Sequence, residues 1–299
     1  MFHVQTVSGP IAPDALGHSQ IHEHIFVHRT PMAEKNPALR LDDPARSLEE
    51  LRAYRAAGGG FLADAQPVAA GRDAERLGAL SRESGVAVAA STGYHLLGFY
   101  PADCWVHSLD EEGLYDLYCG ELLEGMLPWR PEPDRRPAQP TAFRAGLVKA
   151  AIPAEGAEGR YAVLLRAAAR AAVRCGVPLM LLELCFRAGL TPERLIVCHV
   201  DRQAADFGPH DAIAATGVYL DYDTIGRFKY HSDEEEVALL RHMCERGYTQ
   251  RLLLSLDTTA QRMAAYGGEI SLCYLLERFL PRLEAAGFPP GTLADFTAG

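Results

Sequence analysis

Two histidines and an aspartate lie at the ends of apolar, strand-like runs, and these residue types can bind a divalent metal ion. His22 and His24 are two residues apart, so on a strand their imidazoles point to the same side and can hold one ion. Glu23 points the other way and is expected to be structural. Asp257 follows five largely apolar residues, where a carboxylate is costly unless a metal or a cation compensates it. For the histidine pair alone, two unrelated side chains at a loop edge remain the alternative.

A lysine and a third histidine end two further apolar runs. Lys149 lies near the end of the run 146–150, and His199 closes the run 195–199. Each has an ordinary explanation, because a lysine can extend to solvent from a strand end and a histidine can be hydrogen-bonded in a core. A buried lysine with a lowered pKa can instead react with CO₂, and the carbamate is an anionic oxygen ligand able to bridge two metals.

Eight apolar runs of strand length alternate with helical patterns along the chain. They span 20–27, 60–65, 86–92, 146–150, 178–182, 195–199, 218–222 and 252–256. Their largely continuous hydrophobicity favours parallel strands buried on both faces and closed into a (β/α)₈ TIM barrel. The candidate residues would then end strands one, four, six and eight, where such barrels keep their chemistry. An open doubly wound sheet is the alternative, but the sequence has neither of its glycine-rich phosphate-binding motifs.

Three of the intervening helices carry sequence signals for their ends. These signals are a capping box of Ser47 with Glu50 and a stop at Gly58, a second box of Ser232 with Glu235 and a stop at Gly247, and an alanine-rich run 162–174 stopped by Gly176. The Pro-dense stretch 128–140 is expected to be an exposed excursion, because strand and helix patterns resume on both sides.

The composition is that of a globular protein expected to form one domain over residues 1–299. A net charge of -10 disfavours a nucleic-acid partner. No apolar run approaches the roughly 18 residues that span a bilayer, and the N-terminus lacks the pattern of a signal peptide. Seven cysteines without a C-x-x-C pair favour reduced thiols and a cytoplasmic location.

In its ordered motifs, the chain resembles the phosphotriesterase family of the amidohydrolase superfamily. The segment 7–17 followed by the His22-Glu23-His24 triplet is similar to the family's opening, and the Lys149 strand, the 198–201 segment and Leu256-Asp257 follow in the expected order. This resemblance extends from about Val4 to Gly268. It implies a distorted (β/α)₈ barrel with two divalent ions, usually zinc.

The resemblance also implies how the ligands are shared. The first-strand histidines and Asp257 take one metal, two middle histidines take the other, and a carboxylated Lys149 and a hydroxide bridge both. The hydroxide attacks an electrophilic carbonyl or phosphoryl centre while Asp257 relays the proton, so Lys149 and Asp257 are the predicted catalytic residues. The expected substrates are lactones or related carboxylic esters, with organophosphate triesters as a frequent side activity. A homodimer is common in such families.

The sequence departs from the family pattern at strand five. The family has a histidine at the end of this strand, whereas the chain reads Val177-Pro-Leu-Met-Leu-Leu-Glu and has no histidine between His107 and His199. Strand six also follows after an unusually short interval. Either a ligand and part of a helix have been lost, or a segment after Leu181 is absent from the given sequence. Glu183 is a substitute ligand to consider. If the histidine is truly absent, a barrel that binds a metal or ligand without turnover is the competing function.

The loops after the strands would select the substrate. Tyr94 follows strand three, Lys229 follows strand seven, and Arg262 with Tyr266 follows strand eight, so these four are predicted substrate contacts. Cations above a metal site would suit a phosphorylated or carboxylated substrate. Solvated loop charges are the alternative for each of them.

Overall fold

A ring of parallel strands forms the centre of the computed structural model, which describes residues 3–131, 136, 139–182 and 190–297. An antiparallel hairpin, β1 (Val4–Thr6) and β2 (Gly9–Ile11), precedes the ring. The strands of the ring are β3 (His18–Glu23), β4 (Gly59–Asp64), β5 (Ala87–Tyr94), β6 (Leu147–Ala151), β7 (Leu179–Leu182), β8 (Leu195–Cys198), β9 (Tyr219–Tyr222) and β10 (Leu252–Leu254). They lie in chain order around the sheet, which confirms the predicted (β/α)₈ TIM barrel.

Helices between the strands cover the outside of the ring. In the described residues they are α1 (Pro31–Lys35), α2 (Pro44–Ala56), α3 (Ala74–Ser84), α4 (Glu111–Leu123), α5 (Arg160–Cys175), α6 (Phe207–Ala214), α7 (Asp233–Glu245), α8 (Leu280–Ala285) and α9 (Pro290–Thr297). Among them, none has both the length and the apolar character needed to cross a membrane.

Side chains of the ring alternate between two apolar layers, as the strand period requires. Inward-pointing residues such as Phe61 and Leu147 fill the interior of the barrel. Outward-pointing residues such as Leu62 and Val148 are fully buried between the ring and the helices. Each such side chain contributes about 1.5–3 kcal/mol through burial, so the two layers fix which face of every strand looks into the barrel.

All eight predicted strands are present, and the helix signals are confirmed with one exception. Ser232 and Glu235 form the predicted capping box at the start of α7. The box predicted at Ser47 is wrong, because α2 begins four residues earlier with Asp43 as its N-cap. Ser47 lies inside the helix, where its hydroxyl donates to the carbonyl oxygen of Ile25 over 2.7 Å.

The ring closes between β3 and β10 largely through side chains. Glu23 is fully buried, and its carboxylate accepts hydrogen bonds from the backbone N–H groups of Leu256 (2.8 Å) and Thr258 (3.1 Å). The Ser255 hydroxyl oxygen accepts from the N–H of Ile21 over 3.0 Å. Glu23 is therefore structural, as expected, and it performs the pairing that a regular strand ladder would supply.

The connection from β7 to β8 is short for parallel neighbours. Twelve residues separate Leu182 from Leu195, and parallel strands need about a dozen or more for a crossover. The two strands are nevertheless paired in register, with Leu182 opposite Cys198. Glu183, the substitute ligand considered above, lies outside the described residues.

Replacing Glu23 with Gln should lower the free energy of unfolding by about 1–3 kcal/mol. The amide keeps the shape of the carboxylate, but its NH₂ group must face one of the two backbone N–H donors, which then has no acceptor. Urea denaturation measures the change. Glu49→Gln, an exposed position on α2, is the matched control and should change little. Equal stability of the two variants would show that the seam does not depend on this carboxylate.

Candidate metal centre

The C-terminal mouth of the barrel contains a cavity of about 310 Å³. All five residues of the predicted metal-binding set line it: His22, His24, Lys149, His199 and Asp257. They come from the ends of β3, β6, β8 and β10 or from the residues that directly follow these strands. The structure thus brings together side chains that lie up to 235 positions apart in the chain, because parallel strands in one barrel end at the same rim.

His22, His24 and Asp257 form one compact set of donor atoms. Asp257 Oδ1 lies 3.8 Å from His22 Nε2 and 3.4 Å from His24 Nε2. One donor atom from each residue lies within 4.8 Å of the other two, which is the separation expected around a shared divalent ion. The N–H of Asp257 donates to the carbonyl oxygen of His22 over 3.0 Å, so the barrel seam itself holds this set.

The environment of His22 favours the neutral imidazole that a metal requires. Burial lowers the pKa of His22 to about 4, and this effect outweighs the nearby carboxylate of Asp223, which raises it. Nδ1 of His22 lies 2.8 Å from Asp223 Oδ2. The Nε2 atom is therefore the one directed toward Asp257.

Asp223 also carries the third histidine. Its Oδ1 lies 2.7 Å from His199 Nδ1, and both carboxylate oxygens accept from the His199 backbone N–H over 3.1 Å. The His22 and His199 rings stack with centroids 5.0 Å apart. Burial would raise the pKa of Asp223, but the two histidines hold it well below its usual range. A single carboxylate thus orients one imidazole from each predicted metal site, as outer-shell partners of metal ligands commonly do.

Sequence reasoning missed Asp223 and its neighbour Asp221. Asp221 is fully buried beside Cys198, with 3.6 Å between Asp221 Oδ2 and Cys198 Sγ, and it accepts a hydrogen bond from the Ser255 hydroxyl. Burial raises the pKa of Asp221 well above its usual value. The signal was the triplet Asp221-Tyr-Asp223 at the end of an apolar run, where two carboxylates need partners.

Lys149 is almost fully buried in the wall of the same cavity. Burial lowers its pKa, while Asp257, Cys198 and Asp64 act in the opposite direction. A lowered pKa increases the fraction of neutral amine, the form that reacts with CO₂. The adjoining strand approaches closely at Gly93, where any Cβ would collide with the carbonyl oxygen of Lys149. The burial and lowered pKa of Lys149 are the conditions that the predicted carbamate requires.

The second predicted ligand set is incomplete in the described residues. Lys149 and His199 line the cavity, but β7 ends in Leu182, which offers no donor atom, at the strand where the family pattern has a histidine. Residues 183–189 lie outside the described part. The first set therefore fits a metal ion, and the second is fitted only in part by what the structure describes.

Two arginines place positive charge in the cavity wall. Arg227 Nη2 lies 2.9 Å from Asp257 Oδ2, and the same guanidinium donates to the Asp257 carbonyl oxygen. Burial would raise the pKa of Asp257, but Arg227 and His24 outweigh it and hold that pKa well below its usual range. Arg202 also lines the cavity and has no ion pair among the described residues, although its guanidinium lies 5.2 Å from the ring centroid of Tyr230.

The four residues predicted to contact substrate lie outside this cavity wall. Tyr94 is fully buried in the outer apolar layer, and Lys229 is exposed with its ammonium 4.5 Å from the Tyr230 ring centroid. Arg262 donates to backbone carbonyl oxygens, including that of Ile225. The Tyr266 hydroxyl donates to the carbonyl oxygen of Asp43 over 2.7 Å. Tyr94, predicted to follow its strand, is instead the last residue of β5, with its side chain in the outer layer, and sequence spacing could not show which side chains of the other loops face inward.

Comparisons with known proteins identify the family and relatives of this chain. The sequence model of the phosphotriesterase family matches residues 2–296. N-acetyltaurine hydrolase of Danio rerio is 25% identical over 339 aligned residues, covering 95% of this chain and 92% of that protein. Phospho-furanose lactonase of Mycoplasmopsis synoviae is 25% identical over 315 residues, covering 97% and 88%. A lactonase from Listeria monocytogenes has the same fold, with a TM-score of 0.88, 21% identity and 99% and 97% coverage.

Replacing Asp223 with Asn should weaken metal binding about 10- to 100-fold, because both His22 and His199 lose the charge that orients them. Competition with a chromophoric zinc chelator measures the affinity. Asp73→Asn is the matched control: Asp73 bonds His28 over 2.9 Å outside the cavity, and Asn preserves its role as a helix N-cap. An Asp223→Asn protein with the affinity of the control would refute the orienting role.

Proposed function

This chain belongs to the phosphotriesterase family, and we propose that it is a metal-dependent hydrolase that opens lactones or cleaves related carboxylic esters. The observation that carries the proposal is the single cavity in which His22, His24 and Asp257 converge with Lys149. Two divalent ions, with Zn²⁺ the best match to imidazole and carboxylate donors, would complete the site. Organophosphate triesters are the proposed side activity.

Each residue has a distinct role in the proposed reaction. His22, His24 and Asp257 would hold the first ion, and His199 would contribute to the second. Lys149, as its CO₂ adduct, would supply oxygen ligands. When bound, the metals supply a nucleophile at neutral pH and polarise the scissile carbonyl group.

Asp257 is the proposed proton acceptor. Its Oδ1 atom faces the two histidines, while Oδ2 is paired with Arg227, so the carboxylate cannot rotate freely. A fixed carboxylate beside the reacting centre can take up the proton released during attack and relay it to the leaving group. A lactone suits this arrangement, because its ring oxygen leaves with little need for a separate general acid.

The position of Arg202 favours a substrate that carries an anionic group. Arg202 lines the cavity and has no carboxylate partner in the described part of the chain, whereas Arg227 is already paired with Asp257. The names of two relatives also denote oxyanion-bearing substrates, a phosphate in one and a taurine sulfonate in the other. We therefore propose a small acyl substrate whose phosphate, carboxylate or sulfonate lies near Arg202.

Hydrolysis of an N-acyl aminosulfonate is the second candidate. Several relatives that align with 95% of this chain are named N-acetyltaurine hydrolase. An amide differs from a lactone in needing a proton donor for its amine, and Asp257 is the available relay. The two candidates share one metal centre and differ in the leaving group.

The metal-loaded protein should hydrolyse lactones faster than phosphomonoesters or peptides. Arg202→Ala should raise KM at least about 10-fold for phosphorylated lactones only, because a charge-assisted contact contributes about 1.5–3 kcal/mol. Initial rates on paired neutral and phosphorylated lactones, with N-acetyltaurine included, provide the test. Arg246→Ala, exposed beyond the end of α7, is the control and should match the wild type. Cleavage of peptides or phosphomonoesters without any lactone or ester turnover would refute the proposed function.

Lys149→Ala should lose bound metal and activity together, because the shared oxygen ligands disappear. Short carboxylic acids should partly restore both by occupying the vacated position. Metal analysis with activity assays measures the effect, and Lys35→Ala on α1 is the control. A wild type that holds metal in the cavity but turns over no ester, lactone or amide would favour a barrel that binds without catalysis.

A further inference from the structure

A second group of metal-binding side chains lies buried outside the cavity. Asp201 follows β8, His231 lies in the loop between β9 and α7, and Glu236 is in the first turns of α7. Both carboxylates are fully buried and His231 is nearly so. One donor atom from each of the three lies within 4.8 Å of the others. None of these residues lines the cavity of the candidate metal centre.

The charges in this group are not balanced by the protein. Within the described residues, neither Asp201 nor Glu236 has an ion pair with lysine or arginine, and His231 is the ionic neighbour of both. Even a protonated His231 would leave one negative charge in excess. Isolated buried charges of this kind are too costly to leave uncompensated.

Glu236 differs from the other acids at the start of α7. Glu234 and Glu235 are exposed, and buried Asp233 has a partner, since it accepts a hydrogen bond from the Tyr274 hydroxyl over 2.7 Å. Among the residues that the structure describes, both carboxylate oxygens of Glu236 are buried without a hydrogen-bond partner, and so is Oδ1 of Asp201. His231 lies beside one oxygen of each carboxylate, Oδ2 of Asp201 and Oε2 of Glu236.

The two carboxylates approach different nitrogens of the His231 ring, whose hydrogen-bond partners are the Thr224 hydroxyl at Nε2 (3.0 Å) and the Ser232 carbonyl oxygen at Nδ1 (3.2 Å). His231 Nδ1 lies 3.5 Å from Glu236 Oε2, and His231 Nε2 lies 3.7 Å from Asp201 Oδ2. Both distances exceed those of a good hydrogen bond. One ion binds only one imidazole nitrogen, so the set that could hold an ion is one His231 nitrogen with one oxygen from each carboxylate, all within 4.8 Å of one another.

We propose that Asp201, His231 and Glu236 bind a divalent transition-metal ion, with Zn²⁺ the best match, at a structural site separate from the hydrolytic centre. One imidazole nitrogen and two carboxylate oxygens form a donor set typical of zinc. The ion would connect three segments outside the strands of the ring. These are the turn that contains Asp201, the loop that contains His231, and α7, which contains Glu236.

A proton is the competing solution to the same charge imbalance. Burial, together with Asp201 and Asp233, raises the pKa of Glu236 well above its usual value, so a carboxyl without a cation would hold a proton. A bound metal ion and a bound proton predict different effects for the Glu236→Gln substitution. Glutamine replaces a protonated carboxyl with little loss, but it removes the charge that a metal ion requires.

The test compares purified wild type with Glu236→Gln and with Glu245→Gln, the same change at an exposed position of α7. After exposure to Zn²⁺ and removal of free metal, mass spectrometry should find one ion fewer per chain in Glu236→Gln and no change in the control. The melting temperature of Glu236→Gln should fall by about 5 °C or more. An unchanged metal count with an equal or higher melting temperature would establish the proton and overturn the site.

A wild-type crystal soaked in Zn²⁺ decides the question if Glu236→Gln does not fold. An anomalous-difference peak among the three side chains confirms the site, and its absence refutes it. Neither result depends on turnover, so the site and the proposed hydrolysis can fail independently.

Discussion

The closure of the barrel between β3 and β10 is the constraint on which the candidate centre depends. A buried carboxylate, Glu23, and the hydroxyl of Ser255 make the hydrogen bonds at this seam. The resulting register places the N–H of Asp257 on the carbonyl oxygen of His22. A shift by one residue would turn Asp257 to the opposite face and separate it from the imidazoles. The geometry of the centre is thus set by a group that does not enter the cavity.

Residue type and position at strand ends were sufficient to predict the fold and the five cavity residues. That prediction works because apolar runs specify the strands and parallel strands share one rim. The position of Asp223 after an apolar run was predictable in the same way, but its role was not, since that role depends on two histidines from other strands. The Ser47 box failed because Asp43, followed by Pro44, caps the helix instead, and Glu50 accepts hydrogen bonds from the N–H groups of Ala265 and Leu272 across the fold.

Strand β7 meets the requirements of the fold but ends in a residue that cannot bind a metal ion. The ring stays continuous across it, with Lys149 opposite Met180 and Leu182 opposite Cys198. Apolar side chains and backbone hydrogen bonds are enough for that continuity. A metal site needs donor atoms in addition, and Leu182 has none. A complete barrel therefore does not guarantee a complete pair of metal sites, and the overall similarity to lactonases carries information about the fold first.

His199 has a strained backbone that neighbouring hydrogen bonds must hold in place. Its backbone is left-handed, with φ of 61°, a conformation that costs of order 1–3 kcal/mol in residues other than glycine and persists only when its surroundings impose it. Asp223 restrains His199 directly, and Asp201 joins the same segment to the residues after β9. Asp223 accepts from the His199 N–H, and Asp201 accepts from the Thr224 N–H over 2.7 Å. Two hydrogen bonds therefore join the segment after β8 to the segment after β9, one at Asp223 beside the cavity and one at Asp201.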